Sequence, residues 1–324
     1  MMHPEVTLRI RERFPGAAIF EREPASRWTT FRIGGPADAL YIPRDENELA
    51  FALDAARSSR VPVTIIGNGS NLLVRDGGIR GLTIRVAGHP SRHDGQTALA
   101  GLTIDGGRII AGAGASLSAA ARLAADAGLT GMEPIGGIPG TVGGAALMNA
   151  GAYGGEISLV ATAVYALARD DTPGDPSDRP EPIVFKGNGL AFRYRGSAMM
   201  DCGAVITRVE FTLKPDDPAL IAERAADYAR RRKSKQPLSE ASAGSFFKRP
   251  PGQFAGALIE SAGLKGFAVG GAMVSPMHAG FIINKGGATA RDVLALKDEI
   301  IRRVFDHSGI TLEPEVRVIG DDPS

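Results

Sequence analysis

The sequence predicts an α+β protein with a β-rich part up to about residue 215 and a smaller α/β part after it. Strand-like runs dominate the first part, as at 204–213, where Val205, Val209 and Phe211 share one face. Long helical patterns follow at 216–235 and 289–309. An uncharged Gly-rich stretch at 134–155, PIGGIPGTVGGAALMNAGAYGG, fits neither pattern.

The predicted helices begin at recognisable caps. Asp45 and Glu48 have capping-box spacing in front of a helix over 45–59. Ser116 caps a second helix that runs to Gly128, and Asp217 with the following proline starts the helix at 216–235. Strands are predicted within 61–74, at 81–86, in a hairpin within 101–115 and at 311–320.

Composition restricts the class of protein. The chain has 324 residues, is 44% hydrophobic and carries a net charge of +1, which does not suggest a nucleic-acid partner but leaves small anionic ligands possible. Cys202 is the single cysteine, so an internal disulfide is excluded, and residues 1–16 lack the apolar core of a signal peptide. We expect a cytoplasmic protein without membrane insertion and without an obligate protein partner.

The Gly-rich stretch is interrupted too often to be a membrane helix, because Gly and Pro cost about 1 and 3 kcal/mol relative to Ala inside a helix. We expect instead a loop packed against something flat or anionic. A second Gly-rich turn, Gly67-Asn68-Gly69-Ser70-Asn71, follows the strand-like run VTII. Taken alone, this turn favours a hairpin; taken with the first stretch, it suggests a dinucleotide held by backbone amides.

Two common nucleotide motifs are absent. GNGSNL and GAGASL fail the GxGxxG pattern because Leu72 and Leu117 occupy the third Gly position, and no Gly-Lys-Ser/Thr occurs. A Rossmann or P-loop site is therefore disfavoured. His89 and His93 have i,i+4 spacing, but a proline lies between them in a turn-like segment, so no metal site is predicted.

Eight motifs in order carry a family resemblance over residues 26–320. They are TTFRIGGPA, IGNGSNLLV, PIGGIPGTVGGAALMNAGAYGGE, FRYRGS, GSFFKRP, IESAGLKG, HAGFIIN and LEPEVRVIG. The chain resembles the UDP-N-acetylenolpyruvoylglucosamine reductase family, in its shorter subtype. Departures from the family pattern are Met277, where relatives often have Lys, and Arg249, where many have Asn.

The resemblance implies a fold and a cofactor. The fold is a vanillyl-alcohol-oxidase-type (PCMH-like) FAD-binding domain in two lobes, 1–85 and 86–215, followed by a substrate-binding domain at 216–324 whose last strand returns to the active site. We therefore expect FAD to bind without a covalent tether and NADPH to supply the hydride. The implied FAD contacts are Arg32, Gly67, Asn68, Gly69, Ser70, Asn71, Gly136, Ile138, Pro139, Gly140, Gly143, Gly144 and Ala145.

The resemblance also implies the reaction, which reduces the enolpyruvyl ether of UDP-N-acetylglucosamine to UDP-N-acetylmuramate for peptidoglycan synthesis. Ser245 matches the proton donor, while Arg195 and Glu315 match residues that stabilise the intermediate. The residues alone would favour a turn serine, an arginine stacked on its neighbouring tyrosine and an edge-strand carboxylate. They would also leave open the choice between Glu313 and Glu315, which share a predicted strand face.

The implied substrate contacts are Tyr194, Lys235 and Asn284. The four basic residues at 230–233 are interpreted as a solvated helix face that complements the helix dipole. Two other functions stay open: a different oxidase of the same flavin fold, and a non-catalytic nucleotide-sugar-binding protein, which would be colourless.

Overall fold

The computed structural model describes residues 4–88, 98–169 and 180–323. His89, His93 and most of the Pro- and Asp-rich segment 169–182 lie outside the described residues. The α-helices are α1 Pro4–Arg13, α2 Glu46–Ser58, α3 Leu117–Asp126, α4 Val142–Leu147, α5 Ala198–Asp201, α6 Pro218–Lys235, α7 Ala255–Ser261 and α8 Ala290–Ser308. Across the three described ranges, no helix is long and apolar enough to span a membrane.

The strands of the same ranges are short. They are β1 Ala18–Pro24, β2 Pro36–Ile42, β3 Val63–Ile66, β4 Leu72–Val74, β5 Ile79–Arg85, β6 Leu102–Asp105, β7 Arg108–Gly112, β8 Leu129–Thr130, β9 Gly151–Ala152, β10 Gly155–Glu156, β11 Ala161–Leu167, β12 Pro182–Lys186, β13 Val205–Thr212, β14 Lys214–Pro215, β15 Ala241–Ser245, β16 Ala268–Val269, β17 Ala272–Val274, β18 Phe281–Asn284 and β19 Arg317–Ile319.

The chain divides into two compact units assembled from separate segments. The first unit contains residues 1–21, 39–68 and 81–230, and the second contains 22–38, 69–80 and 231–324. The second unit therefore includes two pieces from the N-terminal third of the chain. The domain limits expected from the sequence, at 85 and 215, stay a prediction.

The first unit is organised around a five-stranded sheet in the order β12-β11-β13-β7-β6, in which every pairing is antiparallel. Strand β3 also pairs in parallel with β5. Completely buried side chains such as Ile109, Leu117 and Val209 belong to one apolar cluster. The alternation predicted at 204–213 holds only in part. Val209 and Phe211 are buried between more exposed neighbours, but Val205, Ile206 and Thr207 are all buried, and the pairing of β13 with β11 shifts between Ile206 and Arg208, which takes Val205 out of line with Val209.

The second unit contains a four-stranded antiparallel sheet in the order β15-β18-β17-β16. Helix α8 packs on it through Val293, Leu296 and Ile300, which are completely buried in the second apolar cluster. A separate parallel pair joins β4 to β19, with Leu73 opposite Val318. Residues from widely separated parts of the sequence thus meet in this unit.

The predicted helix starts are confirmed, with one difference. Asp45 accepts a hydrogen bond from the Glu48 amide at 2.8 Å, but the Glu48 side chain turns away to accept from Tyr41 and the Arg44 amide. Ser116 caps α3 by accepting from the Ala119 amide.

Two predicted elements, the loop at 134–155 and the strand at 311–320, are shorter in the structure than the sequence predicted. The stretch 134–155 is not all loop, because Thr141 caps the short helix α4 and a two-residue turn joins β9 to β10. The last predicted strand shrinks to Arg317–Ile319, so Glu313 and Glu315 precede it and do not share a strand face.

Candidate functional site

The two Gly-rich segments meet inside the first unit. A Cβ added to Gly67 would lie 2.4 Å from the Thr141 hydroxyl oxygen, so the turn after β3 lies directly against the start of α4. Only a residue without a side chain permits this approach. The sequence predicted that both segments serve one ligand, and their contact is the geometry that such a role requires.

Backbone amides line this contact. Among the described residues, the amides of Gly67, Asn68, Gly140 and Thr141 donate no hydrogen bond. Backbone donors rarely stay unpaired when buried, so a turn of this kind presents them to solvent or to an anionic ligand. The segments therefore fit a pyrophosphate group such as that of FAD.

The other amides of the second segment are used inside the protein. Val142 and Gly143 donate to the carbonyls of Ala115 and Ala113, both at 2.8 Å, and Gly144 donates to the Thr141 hydroxyl. Consequently α4 is held against residues 113–116 whether or not a ligand is bound. Fewer backbone amides of this segment are therefore left to face FAD than its number of glycines suggested.

Gly143 and Gly144 occupy different environments although they are neighbours. Gly143 is buried, and a Cβ there would lie 2.7 Å from the Ala113 Cβ. Gly144 is exposed, and among the described residues outside the backbone of its own helix a Cβ there would meet the Thr141 hydroxyl alone, at 3.3 Å. Gly143 therefore has a packing reason to lack a side chain, while the surface at Gly144 is open to a ligand.

The rest of the second segment varies in exposure. A Cβ at Gly136 would lie 2.7 Å from the Ala121 Cβ, so this glycine also packs against its own unit. Ala145 is buried, Pro139 is exposed, and Ile138 and Gly140 are partly exposed. The exposed positions are those at which a cofactor could make contact.

Arg85, at the end of β5, supports the first segment. Its guanidinium donates to the Asn68 side-chain oxygen at 3.3 Å and to the Gly88 carbonyl at 2.6 Å, and the residue is only 7% exposed. Burial lowers the pKa of Arg85 to about 10, so it is still cationic at neutral pH. A buried positive charge beside the turn favours an anionic ligand there.

The turn continues into the second unit, where Asn71 contacts the C-terminal segment. Its side-chain amide donates to the Glu315 carbonyl at 3.2 Å, and its carbonyl accepts from the Arg317 amide at 3.0 Å. Gly69 adopts a left-handed φ of +61°, and a Cβ there would lie 2.6 Å from the Trp28 carbonyl oxygen. Ser70 is partly exposed. The predicted flavin turn is thus built together with the segment that carries Glu315.

The second unit also joins Ser245 to Glu315. The Glu315 amide donates to the carbonyl of Phe246, the residue after Ser245, at 2.8 Å, and Phe247 pairs with Pro314. Ser245 is exposed at the end of β15, opposite Phe281 of β18. Two of the three predicted catalytic residues are therefore fixed on adjacent backbone segments.

The two candidate glutamates differ in burial and in their backbone partners. The Glu313 carboxylate binds the Lys248 ammonium, and the two residues are also joined by a backbone hydrogen bond of 2.8 Å. Glu315 is the more buried of the two glutamates, and its backbone is tied to Ser245's neighbour. The choice of Glu315, which the family resemblance implied, stays a prediction.

Asn284 and Arg32 lie near each other in the same unit. The Asn284 amide nitrogen donates to the Phe31 carbonyl at 3.2 Å, and its oxygen accepts from the amides of Gly286 and Ala288. Arg32 is exposed and has a left-handed φ of +56°. Asn284 therefore has a structural role in holding the Arg32 turn; its predicted substrate contact stays a prediction.

In the first unit, Tyr194 and Arg195 form the two-residue turn of a tight hairpin. Arg193 and Gly196 exchange both backbone hydrogen bonds, at 3.0 and 3.1 Å. Arg195 has a left-handed φ of +56°, and its guanidinium carbon lies 4.9 Å from the centre of the half-exposed Tyr194 ring. The stacking is the arrangement that the residues alone would favour, and the left-handed backbone is a strained conformation for a residue with a side chain.

Helix α6 carries the remaining predicted contact. Lys235 is its last residue and is exposed. The solvated-face interpretation of 230–233 is wrong for Arg232, which is only 9% exposed and donates to Gln236 at 3.3 Å. Over the residues that the structure describes, no group of His, Cys, Asp or Glu side chains could hold a metal ion.

A buried carboxylate ties the first-unit part of α6 to the loop before the Gly-rich stretch. Glu133 accepts from the Gly131 amide, from Thr130 and from Arg224, and its side chain is 6% exposed. Burial alone would raise the pKa of Glu133, but these hydrogen bonds outweigh it and hold the pKa below its usual value.

Comparison with known proteins establishes the class and then the family. A model described as an FAD binding domain matches residues 37–168, and one described as the C-terminal domain of UDP-N-acetylenolpyruvoylglucosamine reductase matches 236–319. With the mixed α/β fold, they define an FAD-dependent oxidoreductase and confirm the predicted fold class.

The relatives are similar over nearly the whole chain. The reductase of Pediococcus pentosaceus is 44% identical over 97% of this chain and 98% of its own, and that of Streptococcus thermophilus is 42% identical over 96% of both. The crystal structure of the Thermus caldophilus enzyme aligns with a TM-score of 0.73 at 37% identity, covering 95% of this chain and all of that one. The chain belongs to the UDP-N-acetylenolpyruvoylglucosamine reductase family, whose members act in peptidoglycan precursor synthesis.

Three residues with structural importance at the site were not found from the sequence. Arg85 had a signal, because it is a charged residue between the apolar residues Ile84 and Val86. Thr141 also had one, since a threonine before Val-Gly-Gly-Ala-Ala is a helix cap. Asn149 had none, because only the folded chain shows what its side chain binds.

Proposed function

We propose that this chain catalyses the NADPH-dependent reduction of the enolpyruvyl ether of UDP-N-acetylglucosamine to UDP-N-acetylmuramate. When bound, FAD would supply the redox chemistry that carries a hydride from NADPH to the terminal alkene carbon of the substrate. A proton must then reach the neighbouring carbon, so that two electrons and two hydrogens add across the double bond. The amides at Gly67, Asn68, Gly140 and Thr141 are proposed to hold the cofactor pyrophosphate.

The observation that carries the proposal is the backbone connection between Ser245 and Glu315. The exposed Ser245 hydroxyl is assigned as the acid that protonates the substrate carbon. A hydroxyl is a weak acid, but the electron-rich carbon is a strong base, so transfer is feasible when the geometry is fixed. The contact between Glu315 and the Phe246 carbonyl provides such fixation.

Arg195 and Glu315 are assigned to the charge that develops on the substrate carboxylate. The Arg195 guanidinium stays protonated and offers two parallel N–H groups to a carboxylate. A carboxyl group stabilises an adjacent anion only by donating a hydrogen bond, so the assignment requires the protonated form of Glu315. Tyr194, Lys235 and Asn284 are proposed substrate contacts, and the reaction is proposed to take place in the cytoplasm.

The test separates the two half-reactions of Ser245→Ala by rapid-mixing absorbance. Flavin reduction by NADPH needs no acid from Ser245 and should proceed at nearly the normal rate. Reoxidation by the enolpyruvyl substrate should slow by roughly 10²- to 10⁴-fold, as is typical when a general acid is lost. Ser242→Ala, on the same strand, is the matched control and should slow neither half.

Other outcomes would contradict the proposal. Equal slowing of both half-reactions would show that Ser245 supports the fold or the flavin, and no slowing of either would remove it from the mechanism. A colourless purified protein that takes up no added FAD would favour the non-catalytic nucleotide-sugar-binding alternative.

A further inference from the structure

Asn149 stands out in the first unit because it is both strained and buried. It follows helix α4, has a left-handed φ of +44° and is 1% exposed. Asn tolerates this conformation better than most residues, but it is costly for any residue with a side chain unless the surroundings impose it. The contacts of its side chain explain why the conformation is kept.

Both ends of the Asn149 amide group are engaged. The nitrogen donates to the Arg193 carbonyl at 3.3 Å, and the oxygen accepts from the Ser158 amide at 2.9 Å. Arg193 begins the hairpin whose turn is Tyr194-Arg195. Asn149 therefore holds the hairpin at the residue immediately before its turn.

A second contact comes from the same end of α4. The hydroxyl of Ser197, which is completely buried, donates to the Leu147 carbonyl at 2.7 Å. The two sides of the hairpin are thus anchored to positions 147 and 149, on either side of the α4 C-cap. The Arg193 side chain adds an ion pair with Asp201.

We propose that Asn149 is a positioning residue, which holds the Arg193 carbonyl and so fixes the left-handed turn that presents Arg195 to the substrate carboxylate. The inference rests on the function proposed above for Arg195. It also assigns a second task to the Gly-rich stretch: its first half faces the cofactor, while its end fixes a residue that faces the substrate.

The test uses two substitutions that tolerate the left-handed backbone. Asn149→Asp keeps an acceptor for the Ser158 amide but, when ionised, cannot donate to the Arg193 carbonyl. Asn149→Gly removes both side-chain contacts and avoids burying a charge, so it serves if the first variant folds poorly. Arg60→Gly is the matched control, because Arg60 is exposed, has a φ of +54° and lies in the same unit.

Flavin content and reduction by NADPH should stay normal in both Asn149 variants. Reoxidation by substrate should slow by roughly 10- to 100-fold, the size of effect expected when a catalytic group is displaced by about 1 Å. In an Arg195→Ala background, the Asn149 substitution should add no further slowing, because residues that act through one another are not additive. Arg60→Gly should match the parent protein in every assay.

Hydrogen exchange supplies a readout that does not depend on turnover. The Gly196 amide donates to the Arg193 carbonyl at 3.1 Å, so its exchange reports on the hairpin. In the flavin-loaded Asn149→Gly protein, a peptide covering 193–197 should exchange faster, while peptides from α3 stay unchanged.

Several results would overturn the inference. The first is additive slowing when an Asn149 substitution is combined with Arg195→Ala. The second is an equal slowing of flavin reduction and flavin reoxidation, and the third is unchanged hydrogen exchange in the peptide 193–197. If Arg195→Ala itself left reoxidation intact, the function proposed for Arg195 would fail and this inference with it. Normal turnover in both Asn149 variants, beside a large loss in Arg195→Ala, would overturn the inference alone.

Discussion

Adding one methyl group at Gly143 or at Gly144 should produce opposite phenotypes. In Gly143→Ala the new Cβ would lie 2.7 Å from the Ala113 Cβ and 3.1 Å from its carbonyl oxygen. In Gly144→Ala the new Cβ would lie 3.3 Å from the Thr141 hydroxyl and, beyond the backbone of its own helix, would meet no other described residue within 4 Å. The first substitution therefore disturbs the protein's own packing, and the second changes the surface that is proposed to face FAD.

The expected sizes follow from these distances. Carbon atoms pack best at about 3.5–4.0 Å, so the Gly143→Ala contact is roughly 1 Å too short, and overpacking of this kind costs about 1–3 kcal/mol. Replacing Gly by Ala inside a helix returns up to about 1 kcal/mol. Gly143→Ala should thus lower the free energy of unfolding by up to about 2 kcal/mol, while Gly144→Ala should leave it equal or slightly higher.

The two substitutions should rank in the opposite order for FAD affinity, with Gly144→Ala weakening the binding more than Gly143→Ala. A methyl group at Gly144 that displaces the pyrophosphate from one charge-assisted hydrogen bond costs about 1.5–3 kcal/mol, which is roughly a 10- to 100-fold higher Kd. Urea unfolding of the flavin-free proteins and titration with FAD, followed by flavin fluorescence, measure the two quantities separately. Gly144→Ala protein that binds FAD with the parent Kd would refute the placement of the cofactor at this surface.

Three further predictions concern single features. Arg195→Ala should slow reoxidation by substrate more than reduction by NADPH, because the charge that it stabilises arises only on the reacting substrate; a change in substrate affinity alone would make it a binding residue. Since the folded pKa of Glu133 is lowered, its contribution to stability should be complete above about pH 4.5 and be lost as the pH falls through the folded pKa. Glu133→Gln should therefore lower the free energy of unfolding by about 1–3 kcal/mol near pH 7. The difference in this free energy between variant and parent should become smaller when the urea titrations are carried out in acid. Acid precipitation should release the flavin into the supernatant, whereas colour kept in the pellet would indicate a covalent tether.

Local sequence signals predicted the helices well. Helices α2, α3 and α6 begin where a cap was predicted. Helix α8 lies within the predicted range 289–309 and has a full capping box between Thr289 and Asp292. Such signals are read from residues three or four positions apart, so they survive without tertiary information. Helix α4 was missed because the two glycines among its six residues outweighed the capping threonine in the sequence pattern.

Contacts between distant segments could not be predicted in this way. The ion pair of Glu313 depends on Lys248, which is 65 positions away in the sequence. The roles of Arg85 and Asn149 depend in part on contacts with backbone carbonyls and amides. Every residue has such groups, so the sequence does not show which of them will be contacted. The family resemblance supplied the predicted catalytic residues, but it did not indicate what holds them in place.

The contact between Asn71 and Glu315 also has a consequence for biosynthesis. These residues are 244 positions apart, and β4 finds its partner β19 only when the C-terminal segment has emerged from the ribosome. At a translation rate of about 5–20 residues per second, β4 stays unpaired for roughly 12–50 s, and during this time Leu73 is not yet buried by its C-terminal partner. The first unit draws on no residue beyond 230, so it can fold during translation. Conditions that slow elongation should therefore prolong the exposure of this strand and increase aggregation of the nascent chain, while leaving the stability of the finished protein unchanged.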